Sequence, residues 1–299
     1  MGVFEAARLA WVLVRSDYWR LWLVGFVCGL LGMATGFVGC VPCVGPLIAS
    51  LFLQAQLGAG LFYAVRVRMD GGAAEVPNLF AGFSQRYMQS LVAWAPVSVA
   101  VFIATVVTQV MRVGIQIGVM VLLDQSRTPE NEAMAVGIGL GGAALLLLVW
   151  LAVGVFALFF TFALLAVWDY PASGWEAVRV SARLVRQHFF RVLGFALLVV
   201  VISLAAVVPF FLFGTGAVVL TVFKAPLVFT VIVGCVALLV GLATFVLIGP
   251  AVTVWSRATL VCLYRSWTGQ PLSQPAVASG PPAGGGPIPP TSIEPPAGV

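Results

Sequence analysis

Six runs of about twenty residues or more, each almost free of charge, dominate this sequence: Leu21–Gly39, Val44–Val65, Leu91–Leu123, Met134–Trp168, Val192–Phe213 and Ala225–Ile248. A bilayer core about 30 Å thick is crossed by roughly 20 apolar residues of helix, so each run is predicted to be a transmembrane helix. Composition closes off the alternatives. Of 299 residues, 62% are hydrophobic and 8% charged, where soluble domains carry about 25% charged residues. That surface cannot keep a globular body dissolved, which excludes a water-soluble enzyme, a nucleic-acid-binding domain and a disordered scaffold. The pI near 9.2 does not restore nucleic acid as a partner, because the basic residues are few and border the apolar runs. The predicted fold class is all-α: a polytopic membrane protein with six spans.

Charge placement predicts the orientation. Met1–Arg20, Arg66–Arg86, Asp169–Arg191 and the pair Arg257 and Arg265 hold 12 of the 15 basic residues. Arg127 and Lys224 fall on the other side, and Arg112 lies inside the third run. Loops rich in Lys and Arg stay in the cytoplasm, so both termini are expected there. An even number of spans requires the termini to share a side. Arg8, Arg15 and Arg20 precede an apolar run longer than a signal peptide's 7–15-residue core, so the first run is expected to be an anchor rather than a cleaved leader.

A shift of 171 residues lays the chain over itself. Glu5-Ala6-Ala7-Arg8 falls on Glu176-Ala177-Val178-Arg179, Leu13-Val14-Arg15 on Leu184-Val185-Arg186, and Tyr18-Trp19-Arg20 on Phe189-Phe190-Arg191. Seven of the sixteen positions from 5 to 20 are identical without a gap. A weaker third copy runs through Phe83-Ser84-Gln85, Tyr87 and Leu91. Each copy precedes a hairpin of two spans, which predicts parallel units of an interfacial helix plus hairpin over about 1–68, 75–168 and 174–267. A Pro/Gly-rich tail, 268–299, is expected to be disordered on the cytoplasmic side.

Glu176, Arg179, Arg183 and Arg186 recur at i, i+3, i+7 and i+10 and line one helix face. Such a basic amphipathic helix suits the headgroup layer, where each Arg near anionic lipid is worth about 1 kcal/mol. The candidate lipid or partner contacts are therefore Arg8, Arg15, Arg20, Arg179, Arg183, Arg186 and Arg191. Trp11, Tyr18 and Trp19 belong at the same level, where amphipathic rings collect.

Leu61-Phe62-Tyr63 closing a span, Arg66 and Arg68 after it, and Asn78-Leu79-Phe80-Ala81-Gly82-Phe83 before the next together resemble a broad bacterial group of six-helix membrane proteins. That group includes the membrane domain found beside some glycerophosphodiester phosphodiesterases. Ala177–Phe195 resembles the matching part of its second half, and the resemblance covers about residues 5–265. It implies six helices with both ends inside and carries over no catalytic residues. No phosphodiesterase domain is expected within these 299 residues. A usage of 14 Arg against one Lys agrees with a bacterial, GC-rich source.

Candidate chemistry inside the spans is sparse. Asp and Glu are absent from the six runs, which argues against proton relays and coupled-ion transport. Gln54, Gln56, Gln109, Gln116 and Arg112 are the polar groups at depth, expected to hydrogen-bond between helices, with a polar permeation path as the alternative. Cys40-Val41-Pro42-Cys43 has redox-pair spacing, but no thioredoxin-like unit or further metal ligands accompany it. A structural turn and a disulfide between Cys40 and Cys43 both stay open. Gly25-x-x-x-Gly29, Gly32-x-x-x-Gly36, Gly114-x-x-x-Gly118 and Gly137-x-x-x-Gly141 are expected to be packing devices. The middle hairpin is too long for one bilayer, so it projects, tilts or breaks at Pro96.

These readings converge on a non-enzymatic inner-membrane protein without catalytic, cofactor or metal residues, a scaffold or accessory component engaging anionic lipids or partner membrane proteins, a second copy among them. A transporter or channel for a small or lipidic solute is the competing class.

Overall fold

The computed structural model of the chain describes residues 1–39, 45–125, 129–170, 173–222 and 227–271. Every regular element among them is helical: α1 (Val3–Ser16), α2 (Tyr18–Gly39), α3 (Gly45–Ile48), α4 (Ala55–Met69), α5 (Val76–Leu79), α6 (Ala81–Ser84), α7 (Tyr87–Gln125), α8 (Pro129–Leu158), α9 (Ala163–Ala166), α10 (Gly174–Gln187), α11 (Phe189–Val222), α12 (Leu227–Ala243) and α13 (Gly249–Thr268). Two π-helical stretches, Ala49–Gln54 and Thr244–Ile248, lead into α4 and α13. Five segments are long and apolar enough to cross a membrane, and α10 with α11, bent by 93°, supplies a sixth candidate. Cys40, Cys43 and the tail from 272 onward lie outside the described residues.

Several predicted boundaries move. The last span was expected to end at Ile248, yet the chain stays helical to Thr268 and the candidate span is Val231–Thr268. Arg257 and Arg265 do not stop this helix, because one guanidinium stacks on the Phe62 ring and the other meets Asp70. The run Met134–Trp168 is not one helix. The α-helix ends at Leu158 and resumes for one turn at Ala163. Ser181 of α10 stabilises this break: its Oγ donates to the Phe159 carbonyl at 2.7 Å and accepts from the Phe162 N–H at 3.2 Å. Between the third and fourth runs, where polar residues predict a loop over Asp124–Glu132, α7 runs on to Gln125 and α8 starts already on Pro129. Proline suits a first helical position, where its missing N–H has no partner to lose. No break occurs at Pro96, which α7 carries in its interior. The middle unit lacks a long interfacial helix and has the one-turn α5 and α6 in that place.

The buried core gathers at one end of the bundle. Leu57, Ala59, Leu61, Phe62, Ala64 and Val65 of α4 pack with Leu79, Phe162–Val167, Val185 and the Val254–Tyr264 stretch of α13. The segment Gly45–Met69 is the central one, largely enclosed, whereas Met134–Ala166 and Val231–Thr268 present nearly all their most apolar window outward. Glycine placement explains the enclosure. A methyl on Gly60 would collide with the Leu79 carbonyl, and one on Gly82 with the Gln56 carbonyl, so α5 and α6 lie backbone-to-backbone on α4. Gly25 similarly brings α2 onto α13, with the Pro250 oxygen only 2.8 Å from where a Cβ would sit. By contrast Gly32, Gly36, Gly114, Gly118, Gly137 and Gly141 face open space, so those predicted packing motifs do no packing within the described fold.

Candidate functional site

The core end of the bundle is also its charged end. Each long helix there begins on an aromatic residue just after a break: Tyr18, Tyr87 and Phe189. At the first and last of these a single non-helical residue turns the chain, Asp17 at φ −143°, ψ 48° and His188 at φ −124°, ψ 27°. The helices before these corners, α1 and α10, are 14 residues each and begin and end 171 residues apart. Their buried positions also correspond. Ala6, Ala7, Ala10, Leu13 and Val14 match Ala177, Val178, Ser181, Leu184 and Val185.

Arg179, Arg183 and Arg186 are exposed on α10, and with Ala182 and Phe159 they line a groove of about 310 Å³. No carboxylate among the described residues lies within 4.0 Å of these three guanidiniums. Tyr170 lies close by, and burial together with the adjacent Asp169 and Glu176 pushes its phenol pKa up while Arg183 opposes. Arg8 and Arg15 on α1, and Arg191 at the start of α11, are likewise exposed. Arg20 is exposed and touches Asp17 at only 4.0 Å. All seven predicted contact arginines thus stand on the outside of the charged end.

Behind them lies an ion-pair network that sequence reasoning missed. Arg66 of α4 donates to Asp169 at 2.5 Å and approaches Asp70 at 3.9 Å. Arg265 of α13 donates to Asp70 at 2.7 Å, and the Gln270 amide donates to Asp169 at 3.0 Å. The ends of α4, α9 and α13 are thereby closed into one ring. Two residues along α4, Arg68 reaches Asp17 at 3.6 Å and Ser16 Oγ at 3.3 Å. A signal was available in the sequence. Of ten acidic residues, Asp17, Asp70 and Asp169 each stand within a few residues of the end of an apolar run, beside arginines or aromatics.

The intramembrane polar residues separate into two groups. Gln56 is fully buried, donates to the Tyr87 carbonyl at 3.2 Å and accepts from Ser90 Oγ at 2.5 Å, joining α4 to α7 as expected. Ser50 and Ser98 add a second link at 3.0 Å. Gln54, Gln109, Gln116 and Arg112 instead lie exposed on outer faces, which corrects their predicted role between helices. Arg112 is also not the sole charge within a span. Arg257, counted from the sequence with the flanking charges, sits inside Val231–Thr268 with its guanidinium carbon 4.8 Å from the Phe62 ring centre. It precedes Arg265 by eight residues, about 12 Å of helix.

No protein family, no curated protein and no solved structure matches this chain.

Proposed function

We propose that this protein is a non-enzymatic component of a bacterial inner membrane, with both termini cytoplasmic, that engages anionic lipid headgroups and partner membrane proteins through the arginine helices at its charged end. The observation that carries this reading is α10: a helix at 93° to the span it feeds, bearing Arg179, Arg183 and Arg186 exposed and without carboxylate partners. A helix set across the end of a span lies along the membrane surface, and its basic face meets the negative potential of the cytoplasmic leaflet. The excess of basic residues at the same end supports a cytoplasmic placement. The shared length, bounds and burial register of α1 and α10 support an origin by duplication, and with it the organisation into interfacial-helix-plus-hairpin units. The six candidate spans agree with membership of the bacterial six-helix group that the sequence resembles.

The transporter alternative draws less support, because Gln54, Gln109 and Gln116 sit on outer faces rather than around a path. The test is extraction of the full chain in polymer nanodiscs followed by lipid analysis of the retained shell. Phosphatidylglycerol should be enriched with the native chain and fall toward bulk composition in the Arg179→Ala, Arg183→Ala, Arg186→Ala triple variant. Equal shells for both would remove the lipid-engagement reading. Selective solute uptake by proteoliposomes, lost on changing Gln109 or Gln116, would replace it with transport.

A further inference from the structure

The helix α1 borders a groove of different character from the one beside α10. It has a volume of about 570 Å³ and runs between α1, α11 and α13. Ala7, Arg8, Trp11 and Tyr18 form one end, while Ile202, Leu247, Ile248, Ala251 and Val252 form the rest, with Trp255 between them. Trp255 fixes the junction, its indole N–H donating to the Ala7 carbonyl at 3.0 Å. Leu247 and Ile248 come from the π-helical stretch Thr244–Ile248. Such stretches are rare and concentrate at functional sites.

The chemistry along this groove is graded. Arg8 is its one guanidinium and sits at the end that carries the Trp11 and Tyr18 rings. No carboxylate among the described residues lies within 4.0 Å of Arg8. Glu5, one turn before it, accepts instead from the Gly2 N–H at 3.4 Å. The lining residues from Trp255 to Leu247, eight positions or about 12 Å of helix apart, are all apolar. One leaflet of a 30 Å hydrocarbon core is about 15 Å deep. The groove therefore matches in length, and in the order of its chemistry, one acyl chain topped by an anionic headgroup.

We propose that this groove holds one anionic glycerophospholipid of the cytoplasmic leaflet, its phosphate on Arg8 and one acyl chain against Ala251, Ile248 and Leu247. The inference rests on the membrane placement proposed above but not on lipid engagement by the arginine face of α10. The two can fail separately.

Native mass spectrometry of the detergent-solubilised full chain, titrated with dioleoyl phosphatidylglycerol or dioleoyl phosphatidylcholine, tests it. The first phosphatidylglycerol should be retained about tenfold more strongly than phosphatidylcholine. Arg8→Gln should remove that preference, and Ala251→Phe, which fills the groove, should weaken both lipids. The α10 triple variant should keep the first adduct, and inorganic phosphate at equal concentration should leave it in place. Native retention by both Arg8→Gln and Ala251→Phe would overturn the proposal, as would displacement by phosphate, which would indicate an anion site without a chain. A variant-free measurement stands beside these: phosphatidylglycerol with a photoreactive acyl chain should crosslink within residues 247–255 of the unmodified protein. Crosslinks spread evenly over α7 and α8 would overturn the assignment.

Discussion

The corner between α1 and α2 and the corner between α10 and α11 have the same frame and opposite fittings. Both place a 14-residue helix before one non-helical residue and an aromatic-led long helix. Both are tied to the region around α4, yet by different chemistry. Asp17 turns the first corner and reaches Arg68, while its counterpart His188 stacks on Trp267 with ring centres 4.2 Å apart. The carboxylate that serves the second corner, Asp169, lies upstream of α10 and takes Arg66. Arg66 and Arg68 thus present two guanidiniums from opposite sides of the last turn of one buried helix, one for each corner. The outer faces diverge as well. Where α1 exposes Trp11 and Val12, α10 has Ala182 and Arg183, so one groove is apolar with a single charge and the other is basic. A shared backbone register sets where side chains point, and only their identities separate a chain-binding wall from a headgroup-binding one.

The sharpest way to break this comparison is at the two aspartates. Asp169 is 6% exposed and Asp17 is 19% exposed with longer contacts, so the two should not cost the same. Asp169→Ala should lower stability in detergent by about 1.5–3 kcal/mol, because it removes a short charge-assisted hydrogen bond and leaves Arg66 only the 3.9 Å approach of Asp70. Asp17→Ala should cost about 1 kcal/mol or less, as partly solvated pairs do. Thermal unfolding followed by circular dichroism compares them, and equal losses would mean the corners are clasped alike.

The long helices after the corners offer a second contrast. Gly25 of α2 is pressed against Pro250, whereas Gly194 of α11 faces open space. Gly25→Ala should therefore cost about 1–3 kcal/mol by overpacking. Gly194→Ala should be neutral or stabilise by about 0.5–1 kcal/mol, since alanine orders a helix at lower entropic cost. The same unfolding measurement decides it. Between the buried faces, Ser181→Ala should cost about 1–3 kcal/mol through the Phe162 N–H it leaves unpaired. The corresponding Ala10 is fully buried with no side-chain hydrogen bond, so Ala10→Gly should cost only about 0.5–1 kcal/mol.

The smallest effects should come from the outer faces. Arg183→Val should weaken preference for anionic lipid by about 1 kcal/mol, and Val12→Arg should strengthen it by a similar amount. Phosphatidylglycerol enrichment in nanodisc shells reads both. A response to one exchange alone would show that the two helices do not sit at the same depth.

The all-helical class and the existence of the candidate spans were legible in the apolar runs, because a long uncharged stretch has few stable alternatives to a membrane-buried helix. The correspondence of α1 with α10 was visible in the 171-residue shift, and the structure adds that the two helices bury matching positions. Boundaries were less legible. Arg257 and Arg265 read as the end of a span, and only the Phe62 ring and Asp70, distant in sequence, make it favourable to continue the helix through them. The break after Leu158 depends on a serine 19 to 22 residues further along the chain. Nor could spacing tell Gly60 and Gly82, where backbones meet, from Gly114 and Gly137, which face outward. The ring joining Arg66, Asp70, Asp169, Arg265 and Gln270 was beyond local reasoning for the same reason. Local pattern determines which segments become helices and which face each one buries. Which partner each charge, glycine and carbonyl meets is a non-local choice, and tertiary packing alone makes it.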